Sequence, residues 1–563
     1  MAGMKHVALH DADILELIVE HLAPGKECTS EAQRQPISAL ARVSKAFHIP
    51  ATKALWARLP SLHHLLLLLP EFDTMYRAYR TEHPFGDLKD VRLSERVSPA
   101  TWARFRNRAA AVRHLSQGRF SDVLVLHDES WSYLARLLGD HGPLFPSLRT
   151  VSGWQPTTSC EDLRLLACPL LQSVAIYHAF TDQGWAGSCP LAVQDVLINA
   201  PGLTDLKLVS CSDDFFTHIT PEALAQLRSL WFEVDQPTDC APREWYPNAA
   251  ALRVLSALPA LEHLRVELAL DYNDTEFMGF GSLITLCILD SGCGDATWFL
   301  ERCSSPRLRE LTIDLTNLYF QEFEWEDMHP LCVAIAGHTP QLRELQIFFG
   351  FFGEMPEQIP DMLLTAAHPL FALRHLTTLS LWLSYGEFIL SDSVLEAFAE
   401  AWPALVSLEI CFSTFRPYTP GGLPRPHPAS VTLRSFHALS RHCPHLQVLH
   451  IPHLYVPPED CYGSVNVDGA EHSPGHQLWK MAICRAFIVD AHACAQVLHH
   501  IFPHLDVGHS RAAYLRSHDA CQEDHFFRTA WLNTLDALEG CQTSTSNAEL
   551  SYHDASQCES SGR

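Results

Sequence analysis

One pattern of apolar and polar positions recurs along the chain: P-x-L-x-x-L-x-Φ, where Φ is usually a large aliphatic residue. Aligned on it are PSLRTVSG at Pro146, PLLQSVAI at Pro169, PGLTDLKL at Pro201 and PALEHLRV at Pro259. PRLRELTI at Pro306, PQLRELQI at Pro340, PALVSLEI at Pro403 and PHLQVLHI at Pro444 follow. Copies without the proline start at Gln226, Ser282 and His375, and a decayed copy, PHLDV, starts at Pro503. The second half of each copy alternates apolar and polar residues, which predicts a short strand with one face buried. Segments of helical period precede many copies: LAVQDVLINA, LCVAIAGH, VLEAFAEAW and SFHALSRHC. Proline stops each helix, because it lacks the amide donor and restricts the residue before it. The predicted unit is therefore helix, proline turn, strand, and its apolar faces are covered only by stacking on neighbouring units.

The L-x-x-L-x-L core resembles leucine-rich repeats over residues 145–510. In that family an Asn or Cys often follows the strand. Cys211 fits, Ser291, Ser384 and Ser413 are weaker substitutes, and Asp235 and Gly350 depart from the scheme. Spacing runs from 22 residues between Leu261 and Leu283 to 34 between Leu308 and Leu342, against about 20–29 in the family. The expectation is an irregular solenoid in an open arc. Pro/Gly-rich insertions at Gln236 to Ala250, Phe415 to Ser430 and His453 to Gln477 carry Trp245, Tyr246, Tyr418, Tyr455 and Tyr462. Such loops serve equally as binding elements or as spacers.

The first sixty residues follow a different pattern. Ile14, Leu15, Leu17, Ile18, Val19 and Leu22 form an apolar stripe wider than half a helical turn, with Asp11 or Asp13 to cap its start. Leu40, Val43 and Phe47 recur at helical spacing in a second helix. Pro50 suits the first position of a third, on which Thr52, Leu55, Trp56 and Leu59 share a face. So small a unit buries a modest fraction of its surface, and an apolar excess left outside usually marks a partner. The residues DILELIVEHL before Ala23, LARVSKAFH from Leu40 and ATKALWARLP from Ala51 resemble an F-box, and SPATWARFRNRAAAVRHL from Ser98 is similar to the segment that follows the box in fungal F-box proteins with degenerate repeats.

That resemblance implies an α/β repeat fold: an N-terminal three-helix F-box at 8–60, a helical connector and capping region at 61–144, irregular leucine-rich repeats at 145–510, a C-terminal helical cap at 511–539 and a disordered tail at 540–563. It implies a Skp-type adaptor as partner and through it a cullin, with a protein client, not identified by the sequence, on the repeats. The adaptor contacts would correspond to Ile14, Leu15, Ile18, Leu22, Val43, Phe47, Leu55 and Trp56. The Leu-Pro or Ile-Pro that usually opens the box is Asp11-Ala12 here, and the stretch from Ala23 to Pro36 is longer than a simple box needs. A carboxylate buried unpaired at that contact costs about 1–3 kcal/mol. Those departures keep a second reading open, an interaction scaffold without ligase docking.

Composition narrows the chemistry. A formal charge of −25 over 563 residues repels phosphate backbones and anionic membranes, so no nucleic-acid or membrane partner is expected. Arg104, Arg106, Arg108, Arg113 and Arg119 crowd one acid-free segment, read as a solvated helix face. The acidic residues inside the first helix do not suit a signal peptide, and no window is long and apolar enough to span a bilayer. A soluble chain of the cytoplasm and/or nucleus is expected, with its 18 cysteines as reduced, mostly buried thiols. No phosphate-binding, dinucleotide, zinc-protease or hydrolase motif occurs. The densest metal-capable cluster, His492, Cys494 and His499-His500, matches no closed zinc spacing. The expectation is a non-enzymatic protein with no cofactor and no metal.

Overall fold

Thr339, Trp402, Cys443 and Phe502 each precede a proline and share one backbone conformation, with φ between −117° and −129° and ψ between 55° and 72°. Proline's ring disfavours the helical region for the residue before it, so the helix ends there. The carbonyl thus freed accepts the amide three residues on, Leu342, Leu405, Leu446 or Leu505, at 3.0–3.2 Å. That turn drops the leucine into the core and points the chain into its strand.

In the computed structural model, the described residues are 12–22, 31–82, 92–93, 97–117, 126–177, 188–211, 215–234, 246–269, 277–316, 327–350, 362–384, 390–413, 430–457, 476–518 and 529–544. They fall into two units, one formed by Met1–Gln236 with Ala241–Phe280, the other by Pro237–Cys240 with Gly281–Arg563. The fold is α/β, with parallel strands following one another in chain order, as a repeat solenoid requires.

In the first unit the strands are β1 (Arg58–Leu59), β2 (His114–Ser116), β3 (Thr150–Trp154), β4 (Ser173–Tyr177), β5 (Asp205–Val209), β6 (Ser229–Glu233) and β7 (His263–Glu267). Each pairs in parallel with the next. Their inward leucines and aromatics, such as Leu206, Leu208, Leu230, Phe232, Leu264 and Val266, are at most 2% exposed. The ladder begins at Arg58, well before the residue 145 expected from the L-x-x-L-x-L pattern, because β1 and β2 are too short to display it.

Three helices precede that ladder: α1 (Ala12–Leu22), α2 (Glu31–Val43) and α3 (Lys45–Ala57). The division between α2 and α3 falls at Ser44, not at Pro50 as the sequence suggested. Ser44 is extended (φ −155°, ψ 161°) and its hydroxyl accepts the Phe47 amide, an N-cap that decides the boundary. Phe47 therefore belongs to α3, Pro50 lies inside that helix and Pro36 inside α2. Val19, Ile37 and Ala51, one from each helix, form a buried cluster against which Leu40, Phe47 and Leu55 pack. The Ala57 carbonyl accepts the Arg113 amide at 2.9 Å, so the last turn of α3 runs directly into β1.

In the second unit the strands are β8 (Thr285–Leu289), β9 (Glu310–Leu315), β10 (Glu344–Gly350), β11 (Thr378–Ser384), β12 (Ser407–Ser413), β13 (Val448–Val456) and β14 (Lys480–Ile488). These too are parallel and paired in sequence. The predicted helices are present at Met328–His338, Asp392–Ala401 and Leu433–His442, as is Ser188–Asn199 in the first unit.

Three loop expectations change. Tyr246 is 2% exposed, packed with Val234 and Ala269. Tyr455 lies in β13, so the insertion assigned from His453 starts inside a strand. Residues 529–544 form a helix anchored by buried Trp531, Leu535 and Leu538, which carries helical structure past the expected boundary at 540. Asp11, Trp245, Tyr418, Tyr462 and 545–563 lie outside the described residues.

Candidate functional site

Along α1, Leu15 (2% exposed) and Val19 (1%) point inward. Ile14 (38%), Leu17 (65%) and Leu22 (46%) point out, and Ile18 is half-buried between them. Positions 14, 18 and 22 are four residues apart, so they form one continuous stripe with Leu17 beside it. Val43 and Ile49 are also exposed. Glu16 and Lys53 pair at 2.8 Å and tie α1 to α3.

The eight residues named from the sequence therefore separate. Ile14, Leu22 and Val43 are exposed and Ile18 partly so. Leu15 is a correction: it faces the interior, because the stripe is wider than the exposed side of the helix can hold. Phe47 and Leu55 are half-buried against the inner cluster. Trp56 is half-buried beneath Arg108, whose guanidinium carbon lies 5.5 Å from the ring centroid. Arg104 donates to the Leu68 carbonyl at 3.1 Å. Arg104 makes this contact while staying exposed, whereas Arg108 is half-buried. Leu17 and Ile49 were missed as surface residues, since the pattern marks them as apolar without saying which side of the helix is covered.

A second surface arises where the outward residues of β4 to β7 align. The register sets Lys207 opposite Trp231 and Trp231 opposite Arg265. Trp231 is sandwiched between two cations, the Lys207 Nζ at 4.6 Å and the Arg265 guanidinium at 5.1 Å from its ring. Glu233 holds both in place, through Lys207 Nζ at 2.5 Å and Arg265 Nε at 2.6 Å. Lys207 also lies 5.9 Å from the Tyr177 ring. Trp231 remains 39% exposed in this fixed setting, and a rigid Trp flanked by Arg is the composition of interaction hot spots.

In the second unit the corresponding positions build a more buried cluster, in which Cys411 and His450 are buried and Phe348 and Trp382 half-buried. Phe348 stacks on Trp382 at 6.0 Å, and Trp382 meets the edge of His450 at 6.4 Å. The Cys411 Sγ is 3.2 Å from His450 Nδ1, and the Cys484 Sγ 3.2 Å from His450 Nε2. Among the described residues no group of three His, Cys, Asp or Glu is arranged to hold a metal ion, and His492 instead contacts Gln496 at 3.1 Å. The described cysteines are free thiols. Burial pushes Cys303 and Cys332 up to about 12. Among the described residues no helix is long and apolar enough to cross a membrane.

No known family's model matches the chain, and no curated protein matches it. Among solved structures, a protein from Bacteroides fragilis aligns at 16% identity and a TM-score of 0.23, over 52% of this chain and 62% of that one, less than two thirds of its length. The complex of Rad7 and Elc1 in yeast aligns at 14% identity and a TM-score of 0.28, over 70% of this chain and 97% of its counterpart.

Proposed function

We propose that the chain is the substrate receptor of an SCF-type (Skp–cullin–F-box) ubiquitin ligase. Helices α1 to α3 are the F-box, docking a Skp-type adaptor and through it a cullin, and the ladder is a set of leucine-rich repeats that presents a protein client. The protein itself performs no chemistry; it supplies proximity between client and ligase. One observation carries the reading: α1 keeps Ile14, Leu17 and Leu22 outside while Leu15 and Val19 are buried. An aliphatic stripe exposed on a helix that has already filled its own core is a docking surface for another polypeptide.

A second reading, an interaction scaffold without ligase docking, draws support from Leu15, Phe47, Leu55 and Trp56, which are occupied within the chain. The two readings separate by gel filtration of the purified protein mixed with a Skp-type adaptor. The ligase reading expects a stable one-to-one complex; an adaptor that elutes free leaves the scaffold.

A further inference from the structure

Three successive strands of the second unit, β12, β13 and β14, carry Cys411, His450 and Cys484. The imidazole lies between the two thiols, its Nδ1 3.2 Å from the Cys411 sulfur and its Nε2 3.2 Å from the Cys484 sulfur. His450 is 9% exposed and packs at right angles to Trp382, which stands opposite Cys411 in the strand register. Both cysteines are free thiols; Cys411 is buried, whereas Cys484 is half-buried and open to solvent. The trio surrounds no common point where a metal ion would sit.

A neutral imidazole has one N–H donor and one bare acceptor nitrogen. With a thiol on each side, one sulfur accepts from the ring and the other donates its proton to it. When that proton passes to the ring, both N–H groups of the imidazolium still find a sulfur, and the thiolate gains a charge-assisted hydrogen bond. A thiol beside an imidazolium gives up its proton more readily than a free one. In the register His450 also stands opposite Glu409, and a carboxylate nearby favours the charged ring. Burial disfavours the charged form of Cys411, so the negative charge falls on Cys484, the sulfur that a reagent can reach.

We infer that Cys484 is a site of oxidation by hydrogen peroxide, with His450 as the positioning residue that holds the proton. The thiolate attacks one peroxide oxygen, forming the S–O bond as the O–O bond breaks. The sulfur gives up two electrons and becomes a sulfenic acid. The leaving hydroxide takes the proton from His450 and departs as water, which returns the ring to its neutral form. Cys411 does not close a disulfide with the product. Its strand and that of Cys484 flank β13, so their backbones lie about 10 Å apart, beyond the ~7 Å between α-carbons that a disulfide spans. The inference does not depend on the ligase reading.

Treating the full chain with hydrogen peroxide in the presence of dimedone, which traps sulfenic acids, and mapping the adducts by peptide mass spectrometry tests this. Cys287 and Cys541, half-buried thiols elsewhere on the chain, are the internal comparison. The expected result is an adduct at Cys484 that forms about tenfold faster than at either, as the thiolate share at pH 7 rises from a few per cent to about half. His450→Asn, or His450→Gln, with an unchanged circular dichroism spectrum should slow Cys484 about tenfold while Cys287 and Cys541 keep their rates. A wild-type chain in which Cys484 is labelled no faster than Cys287 and Cys541 overturns the inference, with no variant needed. So does a folded His450 variant in which Cys484 reacts at the wild-type rate.

Discussion

The Trp154 indole donates to Asp162 Oδ2 at 2.7 Å in a space neither side chain shares with solvent. The same carboxylate accepts the Thr157 amide at 3.2 Å and, through Oδ1, its hydroxyl at 3.1 Å. Burial is the dominant influence and pushes the carboxyl from its ordinary 3.8 up to about 6, against the pull of those hydrogen bonds. Between these values the folded state holds a proton that the unfolded chain has released. Stability therefore falls as pH rises through that window, and the full cost, on the order of 3 kcal/mol, is present above pH 6. Asp162→Asn removes the titration. Measured by urea unfolding at pH 7 and pH 4, the stability of wild type relative to Asp162→Asn should rise by up to that amount at the lower pH; a difference that stays flat contradicts the assignment.

Gly153 interrupts the register of β3 against β4, between Val151 and Trp154. Its φ is +71°, and a Cβ there would lie 2.2 Å from the Gln117 backbone carbonyl oxygen. Neither the conformation nor the space admits a side chain, and the obstacle is backbone that cannot swing away. Gly153→Ala should cost about 2–4 kcal/mol, seen as a lowered thermal midpoint, whereas the same change at Gly142, which has a positive φ but open space around it, should cost less than half as much.

The proline junctions were legible because proline acts on its own neighbour, so the end of a helix such as Asp392–Ala401 is written in two adjacent residues. The split between α2 and α3 was not, since one serine hydroxyl outweighs the proline that seemed to mark it. The candidate surfaces were legible by halves. Period two marks Lys207, Trp231 and Arg265 as outward, but their meeting depends on which rungs adjoin and in what register, and that is set by three separated turns. On α1 the spacing showed an excess of apolar residues; only the packing of Val19 against Ile37 and Ala51 shows which of them are spare.

Glu233 pairs with both of the cations that flank Trp231, and its side chain is only 13% exposed. Glu233→Gln leaves Lys207 (16% exposed) and Arg265 (37%), on either side of Trp231, without the carboxylate they share. After allowance for the partial exposure of Arg265, the loss should be about 1–3 kcal/mol. Combining it with Lys207→Met should recover part of that loss, because one of the two stranded charges goes with the lysine. A double-mutant cycle by denaturant titration checks this; strict additivity means that the two side chains do not sense each other.

Leu17 and Val19 lie two residues apart on α1 and should respond in opposite ways to the same substitution. Val19→Asp places a carboxylate in the cluster with Ile37 and Ala51, where no partner compensates it, and should cost about 3 kcal/mol or more. Leu17 is 65% exposed, so Leu17→Asp should change stability by no more than about 0.5 kcal/mol. Its effect should appear in association: with an adaptor seated on the stripe, the new charge is buried at the contact and the one-to-one complex should be lost from gel filtration while the circular dichroism spectrum is unchanged. If Leu17→Asp and Ile14→Asp both retain the complex, the adaptor does not sit on this face of α1, and the ligase reading loses the observation that carries it.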